Sequence, residues 1–556
     1  MNKFSIKIIS YKLNHIKNKK MSFHMLKRNT NQAVGLAEYA QKFLKSNSRI
    51  DAKVYERVKL FHTDSVVCGI SALALRTNAP TILRKEALDY YSINSESREF
   101  RSRVFGSDKW VSVEKALAAN CSAVREWDSN GTVFGYNKEI KGHQAGEFGH
   151  NDFYPVCIAA AHANKNLTGK DVIRGMILSD EIRGRLAEVF SLKTYKIDHV
   201  VHGAIASAVT YGAMIGATTE QIESAVGMVV AHYIPWRAIR AGKQLSDSKG
   251  ASAALSTEVA ITSVRRAMAG FIGPKDIFRN PESIFRFFEN TNGDSPFDIA
   301  VSEEGEKFAL MDMHFKLGLY EHQSAGALEG VIKLLQENAE LLKADSIKNI
   351  KDIVITAYEP AFGIIGDPAK RDPKTRQSAD HSMVFIVSRL LKKAFNNADS
   401  IKNIINNRDS LWKSLILTPL DYSYEALKCT DTKELMGKIK FLHGGKEYDE
   451  KYPEGIPTKV DINLQSGKNI SSGLVMFPSG HSKNTTCDLK GILNNKNKTL
   501  LRYAIPDTNE AEKLLTNLNN IENMSNRDLE EVYNCKIELS TSSIDEDGFD
   551  TKKYMI

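Results

Sequence analysis

Twenty consecutive residues without a charge, Val200 to Thr219, constrain this chain more than any other stretch. A membrane span wants about 20 mostly large apolar residues, whereas this run is diluted by Gly, Ala, Ser, Thr and His202. Its small residues, Ala204, Ala206, Ala208, Gly212, Ala213 and Gly216, let neighbouring helices approach closely. The run therefore predicts a helix buried in a helical bundle.

The surroundings agree. From Asn31 to about Ala300 the pattern is helical. Thr218 and Gln221 form a capping box ahead of Ile222, Val226, Val229 and Val230 at helical spacing. A further helix is predicted from Lys249 to Ala269, with Gly270 placed to end it. Later the pattern changes. Asp352 to Tyr358 and Thr458 to Leu464 are short runs of Ile, Val and Thr; the second, followed by Ser466-Gly467 and then Leu474 to Phe477, predicts a hairpin. Asn509 to Asn534 returns to helix, with Leu514, Leu515, Leu518 and Ile521 on one face, able to pack back on the first region.

The expected fold is mainly α with a second, α+β domain. A large all-helical domain is formed by both chain ends (29–309 and 486–540), a smaller α+β domain is inserted at 310–485, and a mobile tail follows at 541–556.

The chain has 75 Lys+Arg against 67 Asp+Glu, a surplus of 8. Seven lysines and Arg28 precede the first acid, Glu38, and equal that surplus. The rest is neutral, which argues against a nucleic-acid-binding body. Residues 1–28 mix basic, hydroxyl and apolar residues without acid, as a mitochondrial presequence does; the matrix is the expected address and the cytoplasm the alternative. The six cysteines, at 68, 121, 157, 429, 487 and 535, have no C-x-x-C spacing and predict reduced thiols.

Chemistry-bearing residues concentrate in four islands. Glu126 to Tyr154 is Gly-dense and carries Asp128 and His150, which can trade protons next to closely approaching backbone; an ordinary surface loop is the alternative. Asp198-His199-Val-Val-His202 opens a helix. Its histidines share a face and suit a metal, or His199 suits a base, with His202 a structural histidine. Arg237, Arg240, Lys243 and Lys249 lie in a Gly/Ser loop suited to a ligand with several carboxylates, the alternative being a solvated basic loop. Tyr320-Glu-His-Gln-Ser-Ala325 precedes an Ala-rich helix, where a cap is the simplest role. Neither a P-loop nor a Gly fingerprint after a strand is present, and the cysteine spacing does not suit an iron–sulfur cluster.

In this order, Cys68-Gly69, Gly149-His150, Asp198-His199, Lys249-Gly-Ala-Ser, Glu321-His-Gln-Ser-Ala325, Asp380-His381 and Pro478-Ser-Gly-His481 resemble the MmgE/PrpD superfamily, over roughly residues 33–485. Its members include 2-methylcitrate dehydratase and cis-aconitate decarboxylase. The resemblance implies that the fold is mainly α with an α+β lid, that the protein is a homodimer, and that a cofactor-free, metal-free pocket between the domains is where a small tricarboxylate loses water or carbon dioxide. It implies catalytic roles for His150, His199, Asp128 and Lys249, and substrate contacts from Arg240, His322, Gln323 and Lys249. Asn151-Asp152 stands where the superfamily has Pro-Ser-Asp, and the tryptophan usual two residues after the lysine is missing, which leaves the substrate open. The expected reaction is dehydration of 2-methylcitrate to 2-methyl-cis-aconitate in propionate breakdown, by a hydro-lyase. In it Arg240 and Lys249 hold carboxylates, while His150 and His199 divide the base and acid roles with Asp128 orienting one ring. The alternatives are cis-aconitate decarboxylation to itaconate, and a catalytically silent tricarboxylate-binding or scaffold member.

Overall fold

The computed structural model describes residues 23–91, 100–240, 244–343 and 346–554. The expected presequence up to residue 22, and Lys243, lie outside the described residues.

The uncharged run forms the helix Val200–Ile215, ended by Gly216 in a left-handed conformation (φ 87°), which costs little without a Cβ. Thr218 and Gln221 make the reciprocal capping box that starts Thr219–His232. The helix expected from Lys249 starts two residues earlier and runs Asp247–Met268. It packs against Val113–Glu126, Val200–Ile215 and Thr219–His232, which makes it the axis of the helical body. Gly203 shows how tight that packing is: a Cβ there would sit 2.2 Å from Phe153 Cζ. Among the described residues no single helix is long and apolar enough to cross a membrane.

The chain's far end joins this body. Leu489–Leu501 and Thr508–Asn519 pack on Ala52–Ala74. The buried Lys496 ammonium donates to the carbonyls of Ser129 (2.7 Å) and Lys316 (2.9 Å) and pairs with Asp64 (2.7 Å). The helix expected over 509–534 is in fact three pieces: Thr508–Asn519, a 3-10 turn Ile521–Asn523 and Asn526–Glu531, the last started by a Ser525/Asp528 capping box. That box competes with helix continuation and wins locally.

The strand-bearing region holds a four-stranded sheet in the order Asn469–Ser471, Thr458–Leu464, Ile350–Ala357, Ile439–His443. The first two junctions are antiparallel and the last is parallel. The hairpin turns at Ser466-Gly467 as expected, but its partner is Asn469–Ser471, with Leu474 to Phe477 contributing the Val475 bridge to Thr458 and the Met476 carbonyl that accepts from the Ile456 N–H at 3.1 Å. A turn this tight returns the chain within about two residues, so the nearer run pairs.

Two boundaries differ from those that composition suggests. Phe23–Leu26, grouped by charge with the extension, forms a strand antiparallel to Ile299–Ser302, and Arg28 pairs with Asp298 at 3.0 Å. Beyond Thr541, Ile544 and Phe549 are buried and Asp545 meets Arg376 at 2.9 Å, because two apolar anchors among polar residues suffice to dock the segment. Cys68, Cys121 and Cys157 are buried, Cys429, Cys487 and Cys535 half-buried, and all are free thiols.

Candidate active site

The termini of several helices converge on one cavity. Its lining includes Arg125, Asp128, His150, His199, Arg237, Arg240, Lys249, Lys316, Glu321, His322, Gln323, Lys370 and His381. The seven residues to which the resemblance gives roles, Asp128, His150, His199, Arg240, Lys249, His322 and Gln323, are all there. Six lining side chains are Arg or Lys and only two are acids, so the site is strongly cationic.

Asp128 follows the helix Val113–Glu126 and is the hub. Its carboxylate meets Lys316, His381 Nε2 (2.6 Å), Arg125 (3.1 Å) and Lys249 (3.6 Å). Burial alone favours the neutral acid, but Lys316, Lys249, Arg125 and His381 outweigh it and hold the carboxyl well below the usual range. The expectation that Asp128 orients His150 or His199 is not met: the ring in its contact is His381. That ring also meets Asp380 through Nδ1, within 3.5 Å of the Lys249 ammonium. Asp128, Asp380 and His381 bring three ligand atoms within 4.8 Å of one another. Three cations already crowd Asp128, and a metal ion would have to displace them.

His150 sits on the strand Phe148–His150, paired in register with Thr132. Its Nε2 accepts from Arg125 (3.3 Å), and its Nδ1 lies 3.4 Å from the Thr132 hydroxyl. Since a guanidinium only donates, the ring carries its proton on Nδ1. Burial, with Arg125 and Lys316 nearby, keeps it neutral by holding it well below the imidazole range.

His199, at the start of Val200–Ile215, is different. Its Nδ1 meets Asp198 Oδ1 at 3.0 Å, while Nε2, buried, has no hydrogen-bond partner among the described residues. Burial lowers the ring to about 4, against the opposing effect of Asp198. A neutral imidazole whose tautomer is set by a carboxylate and whose other nitrogen is bare is equipped as a base. Its ring lies 5.5 Å from that of His150, edge to face. His202 turns away and bonds the Phe190 carbonyl at 2.9 Å, so the pair does not converge on a metal.

Arg240 was expected to grip a substrate carboxylate. Instead Nε and Nη2 (3.1 Å) both bond Asp198, so it fixes the Asp198–His199 pair. Arg237 and Lys370 line the cavity with no ion pair among the described residues, leaving them for an anionic ligand. Lys249, in the first turn of its helix, is lowered to about 8 by burial and by Arg125.

His322 lines the cavity with both ring nitrogens unpartnered among the described residues. It stacks on His314 (5.1 Å), which packs at a tilt against His481 (4.0 Å) of the Pro478-Ser-Gly-His motif. That motif thus backs the cavity wall. Sequence reasoning missed Arg125, Lys316 and Lys370, and cited His381 without a role. Lys316 did carry a signal: it is the lone charge in Met313–Tyr320, and a lone charge in an apolar run is often buried with a partner.

Helix ends of the helical body thus surround a cation-rich cavity that also carries histidines, a lining chemically suited to an anionic ligand. Residues 34–296 match the MmgE/PrpD N-terminal domain. The chain is 24% identical over 326 residues to the probable 2-methylcitrate dehydratase of Saccharomyces cerevisiae, covering 57% of each chain. It is 22% identical over 337 residues to 2-methylcitrate dehydratase of Escherichia coli K12, covering 58% of this chain and 62% of that one. With the mitochondrial 2-methylcitrate dehydratase of Yarrowia lipolytica it shares 24% over 365 residues, 65% and 64% of the two chains. The matched segments thus span 57 to 64% of these relatives' lengths. Residues 34–296 are thus similar to the N-terminal domain of the MmgE/PrpD superfamily.

Proposed function

We propose that this protein is a hydro-lyase that removes water from a small tricarboxylate, with 2-methylcitrate as the substrate and 2-methyl-cis-aconitate as the product. One observation carries the reading: six cations against two acids around a cavity that also holds His199 with its Nε2 bare. The names of the relatives from S. cerevisiae, E. coli and Y. lipolytica support the reaction class.

The chemistry follows from the side chains. Dehydration beside carboxylates needs a base for a weakly acidic C–H, fixed positive charge where negative charge gathers, and a proton for the departing hydroxyl. His199 Nε2 takes the proton, and Asp198, clamped by Arg240, stabilises the imidazolium that forms. Arg237, Lys370 and Lys249 hold carboxylates and offset the charge that builds as the proton leaves. His150, tied to Arg125 and Thr132, shapes the wall beside His199. Gln323 and His322 supply polar contacts from the opposite wall.

Incubating purified protein with 2-methylcitrate and with cis-aconitate, and following products by NMR, tests the reading. Formation of 2-methyl-cis-aconitate supports it; itaconate indicates decarboxylation, and binding without turnover a silent member. Lys249→Ala, folded but with undiminished turnover, would refute the charge-anchor role. The Y. lipolytica relative's mitochondrial designation and the acid-free basic stretch support a matrix address, tested by fusing residues 1–40 to a fluorescent reporter. A homodimer is proposed with it, and light scattering at assay concentration tests that state.

A further inference from the structure

The cavity contains two carboxyl groups in opposite surroundings. Asp128 is ringed by Lys316, Arg125, Lys249 and His381. Glu321, equally buried at 5% exposure, has no cation within 4 Å among the described residues. Its Oε1 accepts the Gln323 N–H at 2.7 Å, and its Oε2 has only the Ser324 hydroxyl at 3.5 Å. Its own N–H bonds the Asp380 carbonyl at 2.9 Å, which fixes it beside the His381 turn. A carboxyl taken out of water without a counter-ion favours its neutral form, and a pair of acids driven apart in this way divides into a fixed anion and a proton donor.

We infer that Glu321 is the general acid of the site, donating its proton to the hydroxyl that leaves the tricarboxylate. This rests on the dehydration reading above. The step balances: His199 Nε2 accepts the C–H proton, the C–H electron pair becomes the second bond of the alkene, the C–O bond breaks, and the Glu321 proton completes the departing water. The cycle closes when His199 releases its proton and Glu321 regains one. Burial raises Glu321 to about 7, with Asp128 reinforcing the rise and the Gln323 N–H, Lys316 and Lys370 opposing it; Tyr358 and Tyr452 also face it.

Glu321→Gln keeps the acceptor for the Gln323 N–H and removes the proton. It should lower kcat on the hydroxyl substrate by about 10²- to 10⁴-fold with KM little changed. Turnover should return toward the wild-type rate on the analogue carrying fluorine in place of that hydroxyl, since fluoride leaves without a full proton. A structural role for Glu321 would not produce that recovery. Independently of any variant, the wild-type kcat profile should fall above pH about 7 on the hydroxyl substrate and not on the fluoro analogue. Variant turnover within tenfold of wild type on the hydroxyl substrate, or the same alkaline limb with both substrates, overturns the assignment alone. Wild-type protein inert toward both compounds overturns the dehydration reading and the assignment with it.

Discussion

Replacing Asp128 by Asn removes one charge from a buried cluster of four positive or ionisable partners. The cost can be worked through partner by partner. Arg125 keeps a second carboxylate, Asp152, at 3.6 Å. His381 keeps Asp380. Lys249 can escape by losing its proton: with its value at about 8, doing so at pH 7 costs about 1.4 kcal/mol. Lys316, fully buried and in direct contact, has no such second partner among the carboxylates of the cluster. Stranding one member of a buried ion pair costs about 3–5 kcal/mol, so that is the expected loss at pH 7. At pH 9 Lys249 is neutral in both proteins, and the loss should shrink by about the 1.4 kcal/mol that its deprotonation contributed. The assay is chemical unfolding at both pH values, with and without citrate. A tricarboxylate supplies the missing negative charge and should stabilise the variant more than the wild type. A loss below about 1 kcal/mol at pH 7, or equal stabilisation of both proteins by citrate, would refute the reasoning.

Asp198→Asn keeps the size of the residue but removes the anion that sets the His199 tautomer and holds Arg240; dehydration kcat should fall by about 10²- to 10⁴-fold, read in steady-state kinetics. The kcat/KM profile should keep its activity down to pH about 5 and lose it near 4, because the base must be neutral and His199 gains its proton there; an acid limb near 6.5 would contradict the burial argument. Gly203→Ala places a Cβ against the Phe153 ring and should destabilise by about 1–3 kcal/mol, measured by thermal melting.

Local chemistry was legible in the sequence wherever it acts over a few residues. The Thr218/Gln221 box, the Gly216 and Gly270 stops and the Gly467 turn are all decided within one helical turn or one hairpin. Asp128, His150, His199, Arg240, Lys249, His322 and Gln323 could be picked out because each stands in a conspicuous local cluster, and they do share a cavity. The pairings inside that cavity were not legible. Arg125 lies at the end of a helix where any charge looks solvated, and only the fold shows it turned toward Asp128 and His150. Arg240 reads as a substrate grip until Asp198, 42 residues earlier, is brought under it. The break after Asn519 was missed because a capping box at Ser525 competes with a pattern that otherwise continues, and the docked segment beyond Thr541 because two apolar anchors barely register against a polar background.

Arg376 bonds Glu126, beside the Asp128 loop, through Nη2 and Asp545 through Nε, while Lys496 holds the Ser129 and Lys316 carbonyls. The cavity is thus fastened by partners far apart in the chain: Lys496 lies 367 residues from Ser129, and Arg376 lies 250 from Glu126. Contacts of such separation close very long loops, whose entropy is repaid only when the intervening body is folded. The cavity therefore has no local folding unit of its own, and its ligand should protect the whole body against unfolding rather than one segment of it.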